Sequence, residues 1–276
     1  MVVVTGSSGK AGRAILKLFA AQGRETLGVD LLAGGGVGPQ VQADLTDLGQ
    51  CYEVLRGASA LVHMANIPAP RLRPPATTFR NNVSMNYNLF QAAADLGVER
   101  VVWASSETTL GLPFDTPPRY APVDEDHYPH PESSYALSKV VTETLAEQFS
   151  RWSGLPFIGL RLSNILSPEV YATFPDTCWR DATRRKWNLW GYIDERDVAR
   201  ACSQSLSADV QGANSYIIAA NDTVMNRPSA ALMEEVFPGV PLREPLGTYG
   251  TLLANAKAKA DLDFDPVHSW RDTLGG

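Results

Sequence analysis

Short β-branched runs alternate along the chain with longer segments in which apolar residues recur every three or four positions. "MVVV" is followed by "AGRAILKLFAAQG", then "TLGVD", "LTDLGQCYEVLRG" and "ALVHMA". Continuous apolar runs predict strands buried on both faces, and the 3.6-residue period predicts helices with one apolar stripe. Elements in β-α-β-α-β order pack as a parallel sheet with helices on both faces. The rhythm continues through a helix over roughly Pro75 to Leu96, a strand "RVVWASS", a helix through "SYALSK" and a strand "PFIGLRLSN". The fold class is therefore α/β, a doubly wound parallel sheet (Rossmann fold), and ligands are expected along the carboxyl ends of its strands.

Between Gly111 and Ser133 lies a segment with six prolines, "GLPFDTPPRYAPVDEDHYPHPES", which reads as a rigid loop over that edge. After Asn164 the pattern is less regular: a short segment "LWGYID", a helix "ERDVARACSQSL", a strand "SYIIAA", a helix "RPSAALMEEVF" and a final helix near "YGTLLANAKAKA". This organisation predicts a dinucleotide-binding core over residues 1–164. Residues 165–276 then form mainly a small substrate-binding lobe, with returning elements packed on the core.

Composition narrows the functional class. Hydrophobic residues make up 44% and charged residues 20% of the chain, and no apolar run approaches the ~18 residues of a membrane-spanning helix. No basic stretch leads into an apolar run and a small-residue cleavage site, so a cytoplasmic location is expected. Cys51, Cys178 and Cys202 are widely spaced and fit structural roles in a reducing compartment. The net charge of -6 is spread along the chain without a basic block, which speaks against capture of nucleic acid or an anionic membrane. His63, His127, His130 and His268 show no metal-ligand spacing, so no metal site is proposed. A small molecule is the expected partner.

In "VVVTGSSGKAG", Gly6, Gly9 and Gly12 stand between the first strand and the first helix. Glycines there allow a tight turn and let a phosphate approach the free N–H groups of the helix terminus. A P-loop would need glycine at Val4 and a hydroxyl residue at Ala11. Asp30, which ends the second strand 18 residues after Gly12, stands where a carboxylate grips the ribose hydroxyls of a dinucleotide. Its charge repels a 2′-phosphate, so NAD is favoured over NADP.

The helix period puts Tyr135 and Lys139 on one face, one turn apart. A free phenol, with a pKa near ~10, is a poor proton acceptor at neutral pH. A cationic lysine one turn away favours the phenolate, which makes the pair a candidate acid/base for hydride transfer at a carbinol or carbonyl carbon. Ser105 or Ser106, at the end of the preceding strand, is placed to hold the reacting oxygen.

With these motifs in hand, the chain resembles an extended short-chain dehydrogenase/reductase of the NAD-dependent epimerase/dehydratase group, over nearly its whole length. "TGSSGKAG" matches the family's TGxxGxxG, "ADLTD" its adenine-contacting motif and "LVHMAN" its fourth strand. "NNVSMNYNLFQAA" matches its Asn-bearing helix, "ASSETTLG" its serine strand, "SYALSK" its YxxxK and "GYIDERDVARA" its C-terminal lobe motif. The resemblance implies NAD as cofactor, contacted by Gly6, Ser8, Gly9, Lys10, Ala11 and Gly12 in the glycine loop, and by Asp30 and Leu31 beyond the second strand. It implies Asp44 and Leu45 at the adenine, Met64, Ala65 and Asn66 along the cofactor path, Asn82 as a brace, and Leu162 and Ser163 farther on. The family's serine-to-glycine spacing, counted back from Gly111, selects Ser106 as the catalytic serine beside Tyr135 and Lys139, and Lys139 also holds the nicotinamide ribose. A homodimer packed through the helices of Asn82 and Tyr135 is implied as well.

For the substrate, Asn66, Ser106, Glu107, Thr108 and Asn164 suit a polyhydroxylated ligand, and Arg185, in the basic run Arg184 to Lys186, is a candidate for a substrate carboxylate. Trp179, Trp187 and Trp190 are open between packing and a sugar platform. Residues 165–190 are short beside the nucleotide clamp of the sugar-nucleotide epimerases, and the pattern is closer to that of uronate dehydrogenases. Glu107, however, replaces their neutral amide, and a carboxylate there disfavours an acidic substrate. The expected function is an NAD-dependent oxidoreductase acting on a sugar, polyol or sugar acid. The alternatives are a sugar-nucleotide epimerase or dehydratase with retained NAD, and a non-catalytic NAD sensor.

Overall fold

In the computed structural model, which describes residues 1–32, 34, 37–243 and 246–274, the first half alternates strand and helix. β1 (Val2–Thr5), α1 (Lys10–Ala21), β2 (Thr26–Asp30), β3 (Gln40–Gln42), α2 (Leu48–Leu55), β4 (Ala60–His63), α3 (Pro75–Asp95) and β5 (Arg100–Ser106) follow in order. After the proline-rich segment come α4 (Ser134–Ser153) and β6 (Phe157–Leu162). The remainder holds β7 (Ile165–Leu166), α5 (Phe174–Thr177), β8 (Ile193–Asp194), α6 (Glu195–Ser207), β9 (Ala213–Ile218), α7 (Ser229–Val236), α8 (Ala256–Leu262) and α9 (Trp270–Leu274). No helix among the described residues is long and apolar enough to cross a membrane.

Seven strands make one parallel sheet in the order β3-β2-β1-β4-β5-β6-β9. The chain runs outward from β1 to β3, then crosses back to β4 and runs the other way, so the switch point lies between β1 and β4. Their register pairs Thr5 with His63, which brings the Gly6 turn beside the exit of β4. One face of the sheet is covered by α1 and α6, whose Ile15, Leu16, Phe19, Val198 and Cys202 pack in a shared cluster with Val4 and Val102. The other face carries α3 and α4, with Phe90 edge-on to Phe149, Trp103 and Phe157, and Phe149 tilted against Phe157. Burial of such large aromatic side chains stabilises this layer.

A third apolar cluster belongs to the C-terminal lobe and gathers Trp190, Tyr192, Met233, Phe237 and Leu253. The segment after Gly111 is more than a loop over the sheet edge: Leu112, Phe114, Ala121 and Val123 are buried in this cluster, and Val123 bridges to Leu253. Two other expectations shift. The strand expected at "SYIIAA" begins at Ala213 and completes the central sheet beside β6. The helix expected near "YGTLLANAKAKA" begins only at Ala256 and is followed by α9, because Leu252 and Leu253 before it are buried in the lobe and Leu253 bridges to Val123. β3, the β7-β8 pair and α9 are too short, or too polar, to show in a hydrophobic pattern.

Candidate active site

The glycine loop is built by steric necessity. Gly6 has φ +68°, and a Cβ there would lie 2.7 Å from the backbone nitrogen of Ala65. A Cβ on Gly12 would lie 2.1 Å from the Gly6 carbonyl oxygen. Gly9 begins α1 with no side-chain cap, which leaves the first N–H groups of the helix to an external anion. These features fit the pyrophosphate of NAD. Asp30 accepts hydrogen bonds from Ser8 N at 2.9 Å and Leu32 N at 3.3 Å, so its carboxylate is aimed at the loop's edge, where a ribose would be held. Ser8 itself turns away: its hydroxyl donates to the carbonyls of Leu32 and Gly34, and the side chain does not line the cleft. Lys10 lines the cleft and donates to the carbonyl of Ile165 at 3.1 Å, tying α1 to the lobe.

Ala11, Gly12, Leu31, Asp44, Leu45, Met64, Ala65 and Asn66 line the same cleft. Asp44 is fixed by Thr46, whose N–H and hydroxyl both donate to it. Asn82 stands behind the wall, fully buried. Its Oδ1 accepts from Ile67 N at 2.8 Å, and its Nδ2 reaches Ile67 O at 3.2 Å and Ser138 Oγ at 3.4 Å. It thereby clamps the turn after β4 to α4 and makes no cleft contact of its own.

Ser133 caps α4 by accepting from Ala136 N, which sets the first turn and with it Tyr135. Tyr135 and Lys139 are both buried against the end of β5, with the ammonium 5.5 Å from the centre of the phenol ring. Lys139 donates to the Ala104 carbonyl at 2.6 Å. Burial lowers Lys139 to about 7, with Glu143 opposing. Burial raises the Tyr135 phenol to about 12; a hydrogen bond from Ser106 draws it down, and Glu107 raises it further. The expectation that Lys139 depresses the phenol is thus outweighed in this state by desolvation, which disfavours both charges. The Ser106 oxygen accepts from Thr108 N and Thr108 Oγ1, at 3.2 and 3.0 Å, which leaves its proton to donate to Tyr135 or to a bound ligand.

Glu107 follows on a single turn of tight helix and is buried. Its carboxyl accepts from Ser163 Oγ at 2.6 Å and Asn188 Nδ2 at 3.2 Å. Burial raises it to about 7, with Ser163, Asn188 and Arg185 pulling back. Arg185 does not line the cleft: its guanidinium folds back onto Asn164 Oδ1 and the Gly191 carbonyl, and stacks 4.8 Å from the Trp187 ring. Of the three tryptophans only Trp187 lines the cleft. Trp190 is buried and donates to Ala182 O, and Trp179 packs against Trp270 and donates to Val224 O.

The cleft has a volume of about 1740 Å³, well above the about 300–1,000 Å³ of a single small-molecule pocket. It has room for a dinucleotide and a second ligand. Gly6, Gly9, Asp30, Ser106, Glu107, Thr108, Tyr135, Lys139, Leu162, Ser163 and Asn164 all border it. Both polar atoms of the Asn66 amide are buried without a protein partner among the described residues, as expected of a side chain that meets a ligand. Arg71 and Arg73, from the turn after β4, also line it, and no hydrophobic pattern marks them. Asn188 reaches Glu107 from 81 positions away, a contact with no local signal.

A profile of the NAD dependent epimerase/dehydratase family matches residues 2–219. The NAD-dependent glucose-6-phosphate dehydrogenase of Haloferax volcanii is 29% identical over 179 residues, covering 59% of this chain and 68% of that one. A UDP-glucose 4-epimerase of Lactobacillus helveticus is 26% identical over 174 residues, covering 59% of this chain and 51% of its own length. Among solved structures, a short-chain dehydrogenase/reductase superfamily protein from Agrobacterium tumefaciens with bound NAD superposes with a TM-score of 0.78 at 22% identity, covering 100% of this chain and 95% of that one. At that identity the likeness shows the shared fold.

Proposed function

The chain belongs to the NAD dependent epimerase/dehydratase family, and from that premise we propose that it is a dehydrogenase that oxidises a small polyhydroxylated substrate, a free sugar, polyol or sugar acid. The observation that carries this reading is the convergence of Ser106, Tyr135 and Lys139 on one wall of the cleft, beyond a glycine loop fitted to NAD. NAD, when bound, supplies the hydride acceptor and, in its oxidised form, a positive ring. Ser106 donates to the reacting oxygen and holds it. Tyr135, as phenolate, takes the hydroxyl proton while the carbon gives up hydride. Lys139 stabilises that phenolate and has ammonium protons beyond the one on Ala104 for the ribose. Asn66 and Thr108 bind further hydroxyls.

Two features favour a free sugar over a sugar nucleotide. Residues 165–190 fold into short turns whose side chains, Trp190 among them, fill the lobe interior. The match also spans more of the dehydrogenase relative than of the epimerase, 68% against 51%. The second reading, an epimerase with retained NAD, is favoured by the several UDP-glucose 4-epimerases among the relatives. Incubation of purified protein with NAD and sugars, polyols, uronates and sugar phosphates separates the two. Sugar phosphates belong in the panel because Arg71 and Arg73 face the cleft. Net NADH formation supports the dehydrogenase; tightly bound NAD with substrate interconversion and no net NADH supports the epimerase. We further propose a homodimer packed through α3 and α4, whose outward Tyr87, Leu137 and Trp152 are exposed.

A further inference from the structure

Tyr135, Lys139 and Glu143 follow one another at intervals of four on α4, so all three face β5. The first two have roles in the proposed chemistry, and the third has none. Yet the Lys139 ammonium is almost wholly enclosed, with 1% of the residue exposed, and its one protein hydrogen-bond partner among the described residues is the neutral Ala104 carbonyl. A buried ammonium without a counter-charge reverts to the neutral amine. Glu143 is tied down from two strands at once. Ser105 Oγ on β5 donates to its Oε1 at 2.7 Å, while Arg161 on β6 donates Nε to Oε1 and a terminal nitrogen to Oε2, each at 2.9 Å. The side chains of the ion pair are 7% and 11% exposed. Ser105 borders the main cleft, and Glu143 and Arg161 line a separate cavity of about 200 Å³.

We propose that Glu143 is a positioning residue for the active site, a fixed counter-charge held by Ser105 and Arg161 that favours the cationic form of Lys139 against its burial. The inference rests on the reading of Tyr135 and Lys139 given above. Other groups around Lys139 do not supply that charge. His63 on β4 is buried, held to Thr5 Oγ1 at 2.6 Å, and kept neutral at physiological pH by burial. Asn82 and Asn86 on α3 are uncharged, and Glu107 beyond β5 acts on Tyr135 and is itself raised toward neutrality. Arg161 on β6 stands behind Glu143 and opposes a positive charge, and Glu125 acts on Arg161 and donates nothing to Lys139. Glu143, one helical turn beyond Lys139 on the same buried face, is the carboxylate that favours the ammonium, acting through space rather than by a direct ion pair among the described residues.

The test is a direct titration of Lys139 in the full-length, cofactor-free protein, followed by the ¹³Cε lysine resonance and assigned by its loss in Lys139→Met. Glu143→Gln preserves the shape of the side chain and should lower the Lys139 midpoint by about one pH unit or more. Ser105→Ala, which leaves the carboxylate and its arginine in place, should leave the midpoint near the wild-type value. A Glu143→Gln midpoint equal to wild type would reduce Glu143 to a strut between helix and sheet and overturn the proposal. Should Glu143→Gln fail to fold, Glu143→Asp decides: a retracted charge lowers the midpoint, and an unmoved midpoint refutes the role. The readout needs no substrate, so it stands or falls apart from the NADH panel. A shifted midpoint with no turnover on any sugar would sink the dehydrogenase reading alone.

Discussion

Lys139 holds its ammonium 5.5 Å from the centre of the Tyr135 ring, one helical turn further along α4. Burial works on the two in opposite senses, raising the phenol to about 12 and lowering the amine to about 7. The proton inventory of the pair is therefore set by what else enters the cleft. Lys139→Met removes both the cation and the proposed ribose donor, and should lower kcat by about 10²–10⁴-fold and weaken NAD binding in a calorimetric titration. Unaltered NAD affinity together with unaltered kcat would remove Lys139 from the site.

Glu107 gives a stability signature. Its folded-state pKa, about 7, lies above the ordinary value of 4.5, so the folded protein binds the extra proton between those limits. Stability from this group is present below about 4.5 and is lost as pH rises toward 7, on the order of 3 kcal/mol in all. His63, lowered to about 3, titrates in the opposite sense between 3 and 6.5, so the comparison must be made against a variant. The melting temperature of wild type minus that of Glu107→Gln should fall between pH 5 and about 7 and then level. A difference that does not vary with pH would show Glu107 to be ionised throughout.

Asp30 sets the cofactor preference in this account. Asp30→Ala removes the charge that repels a 2′-phosphate and releases Ser8 N from its acceptor. The ratio of NAD to NADP affinity should drop by about tenfold or more, read by fluorescence titration with each dinucleotide. An unchanged ratio would mean that the carboxylate only shapes the loop.

The dimer proposal concerns an aromatic surface. Tyr87 on α3 and Trp152 on α4 both pack against Phe149 and remain exposed, and Leu137 is 44% exposed near the start of α4. Light scattering should give twice the chain mass for wild type and the single-chain mass for Leu137→Glu combined with Trp152→Glu. A monomeric wild type at micromolar concentration would refute it.

The parts of the site that a linear pattern reveals are those that one element fixes. The glycine spacing sets the turn after β1, and the helical period sets Tyr135 against Lys139. Parts assembled from several elements are invisible in that pattern. Glu143 shares the register of the pair, but its restraint comes from Ser105 and Arg161, 38 and 18 positions away. Arg185 reads as a cleft-facing cation in the basic run, whereas left-handed backbone at Leu189 and Trp190 folds the chain so that the guanidinium meets Gly191. Glu107 reads as a charge that disfavours acids; the fold buries it and raises it to about 7. The case against a uronate is therefore weaker than the bare sequence suggests. Ser8 and Asn82, legible as site residues from their motifs, bond to the backbone of neighbouring turns, and neither side chain lines the cleft.

The central claim is that Tyr135 transfers the proton of an NAD-dependent oxidation, and one measurement meets it head on: NADH absorbance from wild type and Tyr135→Phe against the same panel of sugars, polyols, uronates and sugar phosphates. Wild type should reduce NAD with at least one substrate, and the phenylalanine variant, folded and with NAD affinity retained, should be slower by about 10²–10⁴-fold. Equal rates from the two proteins would contradict the account.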